Sequence, residues 1–162
     1  MKVELATLED AEEILYLQKQ AYLSEALLYN DLSIHPIVQS IRSIREEFKK
    51  SWVWKIQDGK AIVGSVRAFV DQDTCHVRKL IVKPSHQNRG LGTLLMHTID
   101  ESITQVNRFE LFTGHKSLKN ITLYQKLGYE PFRQKSLHEG LTLVYMEKKT
   151  DTTRALSEES PC

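Results

Sequence analysis

Gly90 and Gly92 stand at a boundary between two kinds of pattern. Before them, residues 77–82 (VRKLIV) form an apolar, partly alternating run that suits a strand. Residues 83–89 are polar, and Pro84 ends that strand. After the glycines, Leu91, Leu94, Leu95 and Ile99 recur at helical spacing. A strand that turns through glycines into a helix leaves backbone N–H groups without partners, aimed at one point. The helix start also carries partial positive charge there. Such a turn can bind phosphate, although a glycine turn that merely opens a helix fits the two glycines equally well.

Two familiar phosphate loops fail on this stretch. No G-x-x-x-x-G-K-[ST] run exists in the chain. The dinucleotide fingerprint G-x-G-x-x-G needs a third glycine where Leu95 stands, and it follows the first strand of its unit. Here three antiparallel strands are expected upstream.

Other side chains could act on a ligand held at that turn. Asn120 and Tyr124 are four apart, so they share one face of a short helical run that Gly128 stops. His76 precedes the turn on its strand, Glu110 lies on the next expected strand, and His115 follows it. Cys75 and Cys162 form no C-x-x-C pair, which argues against a disulfide framework and a zinc site. A lone Cys75 reads as a packed strand residue. Trp52 and Trp54 read as sheet packing.

The elements that must position these groups follow from periodicity. Residues 2–6 alternate as a short strand. Thr7 to Asp10 has the form of a capping box with Thr7 as N-cap, ahead of a helix on Ala11, Ile14, Leu15, Gln18, Ala21 and Tyr22 that frays near Leu23. Residues 24–37 read as a loop or broken helix, and 36–50 as a second helix. Strands are expected at 51–57, 61–71 and 74–83, with Gly64 as a bulge or close-approach point and Asp58-Gly59 as a hairpin turn. A helix at 90–104, a strand at 108–113, a short helix at 120–127 and strands at 129–135 and 141–148 complete the order. The fold class is therefore α/β (α+β): a mixed, largely antiparallel sheet flanked by helices. Residues 74–113 supply its parallel, right-handed crossover.

The 162 residues favour one domain, here 1–149, followed by a polar tail at 150–162. A chain of this length can bury roughly 70% of its unfolded surface, so a real core is available. Lys+Arg is 22 and Asp+Glu 21, a formal net charge of +1, which gives no bulk basic footprint for nucleic acid. No apolar stretch is long enough to span a bilayer, and the start MKVELATLED lacks the core of a signal peptide, which points to the cytoplasm and to no membrane partner. Symmetric dimers are common among soluble chains, so a homodimer is the assembly expected by frequency, with no residue marking its surface.

The flanks of the glycine turn add specificity. Gln87-Asn88-Arg89-Gly90-Leu91-Gly92 fits "Arg or Gln, two residues, Gly, one residue, Gly or Ala", after the strand end Leu80-Ile81-Val82. Here the chain resembles the GNAT family of N-acetyltransferases. The resemblance extends to residues 120–129 (NITLYQKLGY), which look like the family's second cofactor segment. It covers about residues 2–148, with both motifs in the expected order.

The resemblance implies an N-acetyltransferase that moves an acetyl group from acetyl-CoA to a primary amine by direct attack in a ternary complex, without a metal. The pyrophosphate would lie on the N–H groups of Gln87, Asn88, Arg89, Gly90, Leu91, Gly92 and Thr93. The pantetheine arm would run beside Leu80, Ile81 and Val82 like an added strand, in a gap splayed by a bulge. Strand-end N–H groups would stabilise the oxyanion. The family's matching Asn and Tyr imply that Asn120 binds the cofactor and that Tyr124 also contacts it and protonates the leaving thiolate, a transfer worth about 10²–10⁴ in rate. No family motif fixes the base, so Glu110, His76 and His115 stay open. Lys126 could reach a cofactor phosphate, or be an ordinary exposed lysine. The acceptor, a small-molecule, peptide or protein amine, would meet the loop that carries Tyr29, Asp31 and His35, and the last strand pair. A non-catalytic acyl-CoA-binding module is the alternative reading, since it keeps the turn and needs no acid.

Overall fold

The computed structural model describes residues 1–150. Cys162 and all of the expected tail beyond Thr150 lie outside the described residues. The order is β1 (Val3–Leu5), a 3₁₀ turn (Leu8–Asp10), α1 (Ala11–Leu28), α2 (His35–Val38), α3 (Ile41–Lys50), β2 (Trp52–Asp58), β3 (Ala61–Asp71) and β4 (Thr74–Val82). A second 3₁₀ turn (Pro84–His86), α4 (Leu91–Ser102), β5 (Arg108–Gly114), α5 (Leu118–Lys126), β6 (Glu130–His138) and β7 (Leu141–Lys149) follow. The seven strands form one sheet in the order β1-β2-β3-β4-β5-β7-β6. Only β4 and β5 pair in parallel, joined by α4, and every other pair is antiparallel. The mixed architecture expected from the alternation of patterns is the one found.

Each sheet face has its own apolar layer. Ala11, Ile14, Leu15 and Leu17 of α1 and Ile44 of α3 pack on Val53, Ile62 and Ile81. On the opposite face Leu91, Leu95, Met96 and Ile99 of α4 pack with Trp54, Ile56, Val66, Phe109 and Leu111, and Tyr124 of α5 joins them. Fully burying one such aliphatic side chain contributes about 1.5–3 kcal/mol, so α4, which carries the glycine turn, is firmly seated. Leu94 departs from its expected place on the buried stripe and is 37% exposed. Trp52 is 47% exposed at the start of β2, so Trp54 alone serves as sheet packing.

The helical hairpin differs from expectation in two places. α1 continues through Leu28 instead of fraying near Leu23, because Ala26 and Tyr29 are buried and hold its last turn. It stops where Asn30 adopts a left-handed φ of 50°, a conformation Asn tolerates better than most residues. The helix expected over residues 36–50 is two. Gln39 is extended and buried, its amide accepting from Gln18 Nε2 at 2.9 Å and donating to Glu47 Oε1 at 2.7 Å. Ser40 then caps a fresh start, its Oγ accepting from the Ser43 N–H at 3.1 Å. Ahead of α1, Asp10 accepts from the Thr7 N–H at 2.8 Å, the reciprocal half of the expected box.

Candidate active site

The site begins with a failure of strand pairing. β4 and β5 are in register at Thr74–Arg108, Cys75–Phe109 and His76–Glu110, and pair no further. On the other edge of β4, Ser65 of β3 pairs with Ile81 while Arg67 pairs with Arg78, so β4 holds one extra residue there. Lys79 lies in that bulge with φ 55°. A bulge bends and twists its strand. Beyond His76 the two strands part, and a cleft of about 1080 Å³ opens between residues 77–82 and 111–114. It gives β4 an edge whose backbone groups β5 does not use.

The glycine turn closes one end of this cleft. Gly90 caps α4 with φ 80°, and Asn88 has φ 63°, both left-handed. The Leu94 N–H is the first of the helix to find a carbonyl, that of Gly90 at 3.0 Å. The amides of Leu91, Gly92 and Thr93 thus find no backbone acceptor among the described residues. Gln87 Nε2 donates to the Val82 carbonyl at 3.1 Å, tying the turn to the strand end. His86 Nε2 does the same for the β2–β3 hairpin, meeting Asp58 Oδ2 at 2.9 Å. Gln87, Asn88, Gly90, Leu91, Gly92 and Thr93 border the cleft; Arg89 is exposed beside it and does not.

α5 forms the adjoining wall. A Cβ on Gly92 would lie 3.6 Å from Leu123 and 3.8 Å from Leu80, so the two sequence motifs meet in space. Asn120 and Tyr124 both border the cleft, as do Leu80, Ile81 and Val82, and Lys126 stands at its rim. The end of α5 is locked: the Gly128 N–H donates to Gln125 O at 3.1 Å and the Tyr129 N–H to Tyr124 O at 3.0 Å, with Gly128 at φ 96°. Tyr124 is 7% exposed, and burial, with Tyr22 and Glu25 nearby, pushes its phenol well above the usual range. Burial likewise raises the Tyr22 phenol to about 12.

The residues considered as bases fall elsewhere. His76 Nδ1 lies 2.9 Å from Glu110 Oε2, and neither residue borders the cleft. Both sit where β4 and β5 are still paired, just before the gap. His115 also stays outside, its Nδ1 accepting from the Thr142 N–H at 3.0 Å. Besides Asp31, which is engaged by Ser33 and His138, the carboxylate that reaches the cleft is Glu25 of α1, which accepts from Ser117 Oγ. No sequence motif marks it: it lies in the stretch read as a loop or broken helix, and only the extra turn of α1 brings it inward.

Tyr29, Asp31 and His35 all border the cleft, in different conditions. The Tyr29 hydroxyl accepts from the Lys116 N–H at 2.9 Å and meets Ser117 Oγ at 3.0 Å, pinning the end of α1 against Gly114. Asp31 is held below the usual carboxylate range by Ser33 and then by His138, whose Nε2 is 3.0 Å away. His35 is 3.9 Å from Glu47, and burial followed by the Lys79 charge lowers its pKa. Cys75 is wholly buried, its thiol pushed up to about 12 by burial, and it packs in the core. Among the described residues no cluster of three His, Cys, Asp or Glu could hold a metal, and no helix is long and apolar enough to cross a membrane.

A family model described as an acetyltransferase (GNAT) domain matches residues 20–150. An N-acetyltransferase 9-like protein of Nematostella vectensis is 31% identical over 93 residues, which are 53% of this chain and 47% of that protein. The chain thus spans about half the length of that relative. PaiA N-acetyltransferase from Thermoplasma acidophilum, crystallised with coenzyme A, superposes with a TM-score of 0.73 at 14% identity, covering 93% of this chain and all of that one. The ribosomal-protein-S18-alanine N-acetyltransferase of Escherichia coli gives 0.75 at 15%, covering 91% and 92%. At these identities the structural likeness is one of fold.

Proposed function

The chain belongs to the GNAT acetyltransferase family, and from that premise we propose that it transfers an acetyl group from acetyl-CoA to a primary amine. The observation that carries the proposal is the splayed β4–β5 gap, with a glycine turn at one end and a buried phenol in its wall. The unpaired edge of β4 suits an amide-containing arm laid along it as an extra strand. The free amides of Leu91, Gly92 and Thr93 suit a pyrophosphate.

In this reading the neutral amine attacks the thioester carbonyl carbon. The C–N bond forms, the C–S bond breaks, and the amine proton passes to Glu25, the carboxylate the fold brings inward. Tyr124 gives its proton to the departing sulfur. Its raised pKa keeps the phenol protonated at neutral pH. A buried site also raises the proton affinity of a departing thiolate, which brings the two groups closer in acidity.

The test is release of coenzyme A across a panel of small amines and peptides, with Tyr124→Phe beside the native chain. Tyr124→Phe is expected to keep acetyl-CoA affinity and to lose turnover by about 10²-fold or more. Binding of acetyl-CoA with no acetylation of any amine would replace this reading by a non-catalytic acyl-CoA-binding one.

A further inference from the structure

We propose that the acceptor carries a carboxylate, and that Arg67, Arg78 and Lys79 receive it in a second cavity that adjoins the cleft across the β4 bulge. That this acceptor is acetylated rests on the acetyl-transfer reading; the anion site does not.

The second cavity, about 670 Å³, lies between α3 and the sheet face that bears Arg67 and Arg78. Five cationic side chains border it (Arg42, Lys50, Arg67, Arg78 and Lys79) against two carboxylates, Glu46 and Glu47. Both carboxylates are engaged: Lys49 is 3.2 Å from Glu46, while Glu47 accepts from Gln39 at 2.7 Å and lies 3.2 Å from Arg67 Nη1. Glu110, whose charge Arg78 feels, is shared by His76 and Arg108. Positive charge is left over.

Arg67 makes the surplus costly. It is 1% exposed, and its Nη2 donates to Gln18 Oε1 at 2.7 Å. Its Nε has no hydrogen-bond partner, and its Nη1 meets Glu47 without hydrogen-bond geometry. A buried guanidinium with open donors is a standing penalty that an arriving anion would offset. Arg78 is held ready, its guanidinium 4.7 Å from the Phe112 ring centroid and 5.5 Å from that of Phe69, with Nη1 donating to Val77 O at 3.0 Å. Lys79 feels the crowding: burial first, then Arg67 and Arg78 against Glu47, bring its pKa to about 8.

Position assigns the anion to the acceptor. Arg78, Lys79 and Phe112 border both cavities, at the point where β4 and β5 part. The glycine turn borders the cleft alone, so the phosphates it suits belong to the other substrate. A molecule with its amine in the gap and a carboxylate a few bonds away would bridge the two.

Two measurements test this. In the first, succinate, which has a carboxylate and no amine, is titrated into the full chain while the Arg67 and Arg78 Nε–H resonances are followed. Saturable shifts that Arg78→Met weakens about tenfold or more are expected; Lys79→Gln serves the same purpose if Arg78→Met does not fold. No shift at tens of millimolar would overturn the proposal. In the second, 4-aminobutyrate, butylamine and 1,4-diaminobutane present one amine with an anionic, neutral or cationic far end. The expected kcat/KM for the anionic member is at least tenfold above both others, and Arg78→Met shrinks that ratio. Acetylation that favours the neutral or cationic member would refute the carboxylate and leave the acetyl-transfer reading standing. Succinate binding with no amine acetylated would do the reverse.

Discussion

His76 Nδ1 and Glu110 Oε2 are 2.9 Å apart, and the two residues are register partners at the last rung before β4 and β5 separate. The contact lacks hydrogen-bond geometry, and the imidazole is neutral at neutral pH. Burial and then Arg78 lower the His76 pKa by more than Glu110 raises it. His76 also stacks on Phe69, with ring centroids 4.9 Å apart, so the pair seals the closed end of the gap. The unfolded imidazole, with its ordinary value of 6.5, takes up a proton before the folded one does. Stability from this group is therefore complete above pH 6.5 and lost as pH falls through the folded value. Urea unfolding between pH 7.5 and 5.5 should show this decline. His35, also lowered, contributes in the same direction, so His76→Gln should reduce the slope without removing it. An unchanged slope would mean that the His76 pKa does not change on folding.

Glu25 is the acidic side chain expected to matter for turnover. It borders the cleft and accepts from Ser117 Oγ, and its charge is felt by both Tyr22 and Tyr124. Glu25→Gln keeps the shape and the hydrogen-bond acceptor while removing the proton acceptor. It should lower kcat/KM for amines by about 10²-fold, within the range for general-base catalysis, and leave acetyl-CoA affinity unchanged. Glu110→Gln should lower turnover less than twofold. If the two variants exchange these outcomes, the proton leaves by way of the strand pair and not by way of α1.

The difference between Glu25 and Glu110 marks what the sequence could convey. The β4-turn-α4 unit is local: apolar alternation, Pro84, two glycines and a helical stripe occur in one continuous stretch, and periodicity reads them directly. Asn120 and Tyr124 are equally legible, because helical spacing fixes their common face and Gly128 fixes the stop. Three things depend on contacts distant in sequence. The length of α1 depends on Tyr29 reaching Lys116 and Ser117. The break at Gln39 depends on Gln18 and Glu47. The bulge at Lys79 depends on a register shift against β3. Lys79 is not a glycine, so its left-handed φ left no trace in residue type.

The two glycines of the turn should respond differently to alanine. Gly90 has φ 80° with nothing within 4 Å of an added Cβ, so the penalty is conformational. A left-handed alanine costs about 1–2 kcal/mol, and relaxing φ to avoid that would redirect the amides that follow. Gly92 lies in the first turn of α4, where an added Cβ would meet Leu123 and Leu80 only at ordinary contact distance. Gly90→Ala is therefore expected to lower Tm and weaken coenzyme A binding together. Gly92→Ala should hold stability within about 0.5 kcal/mol. Thermal unfolding with and without coenzyme A measures both. A Gly90→Ala variant with native stability and affinity would show that the left-handed cap is dispensable.

Lys79 supplies a pH signature for the anion cavity. Its Nζ answers to Glu47 from α3, to Arg67 from β3 and to its neighbour Arg78, and its own charge lowers the His35 pKa from α2. With a pKa of about 8, it is charged at pH 7 and largely neutral at pH 9.5, while both arginines stay charged. Succinate affinity should therefore fall as pH rises through 8, by about three- to tenfold, the weight of one partly screened charge. His35, lowered from 6.5, is neutral throughout that window and cannot cause the change. Lys79→Met should bind more weakly at pH 7 and lose the pH dependence between 7 and 9.5. Bound succinate should in turn raise the Lys79 pKa, which a lysine Hε–Cε titration would read directly. Affinity that is flat across pH 8 in the native chain would place the carboxylate on the arginines alone and remove Lys79 from the site.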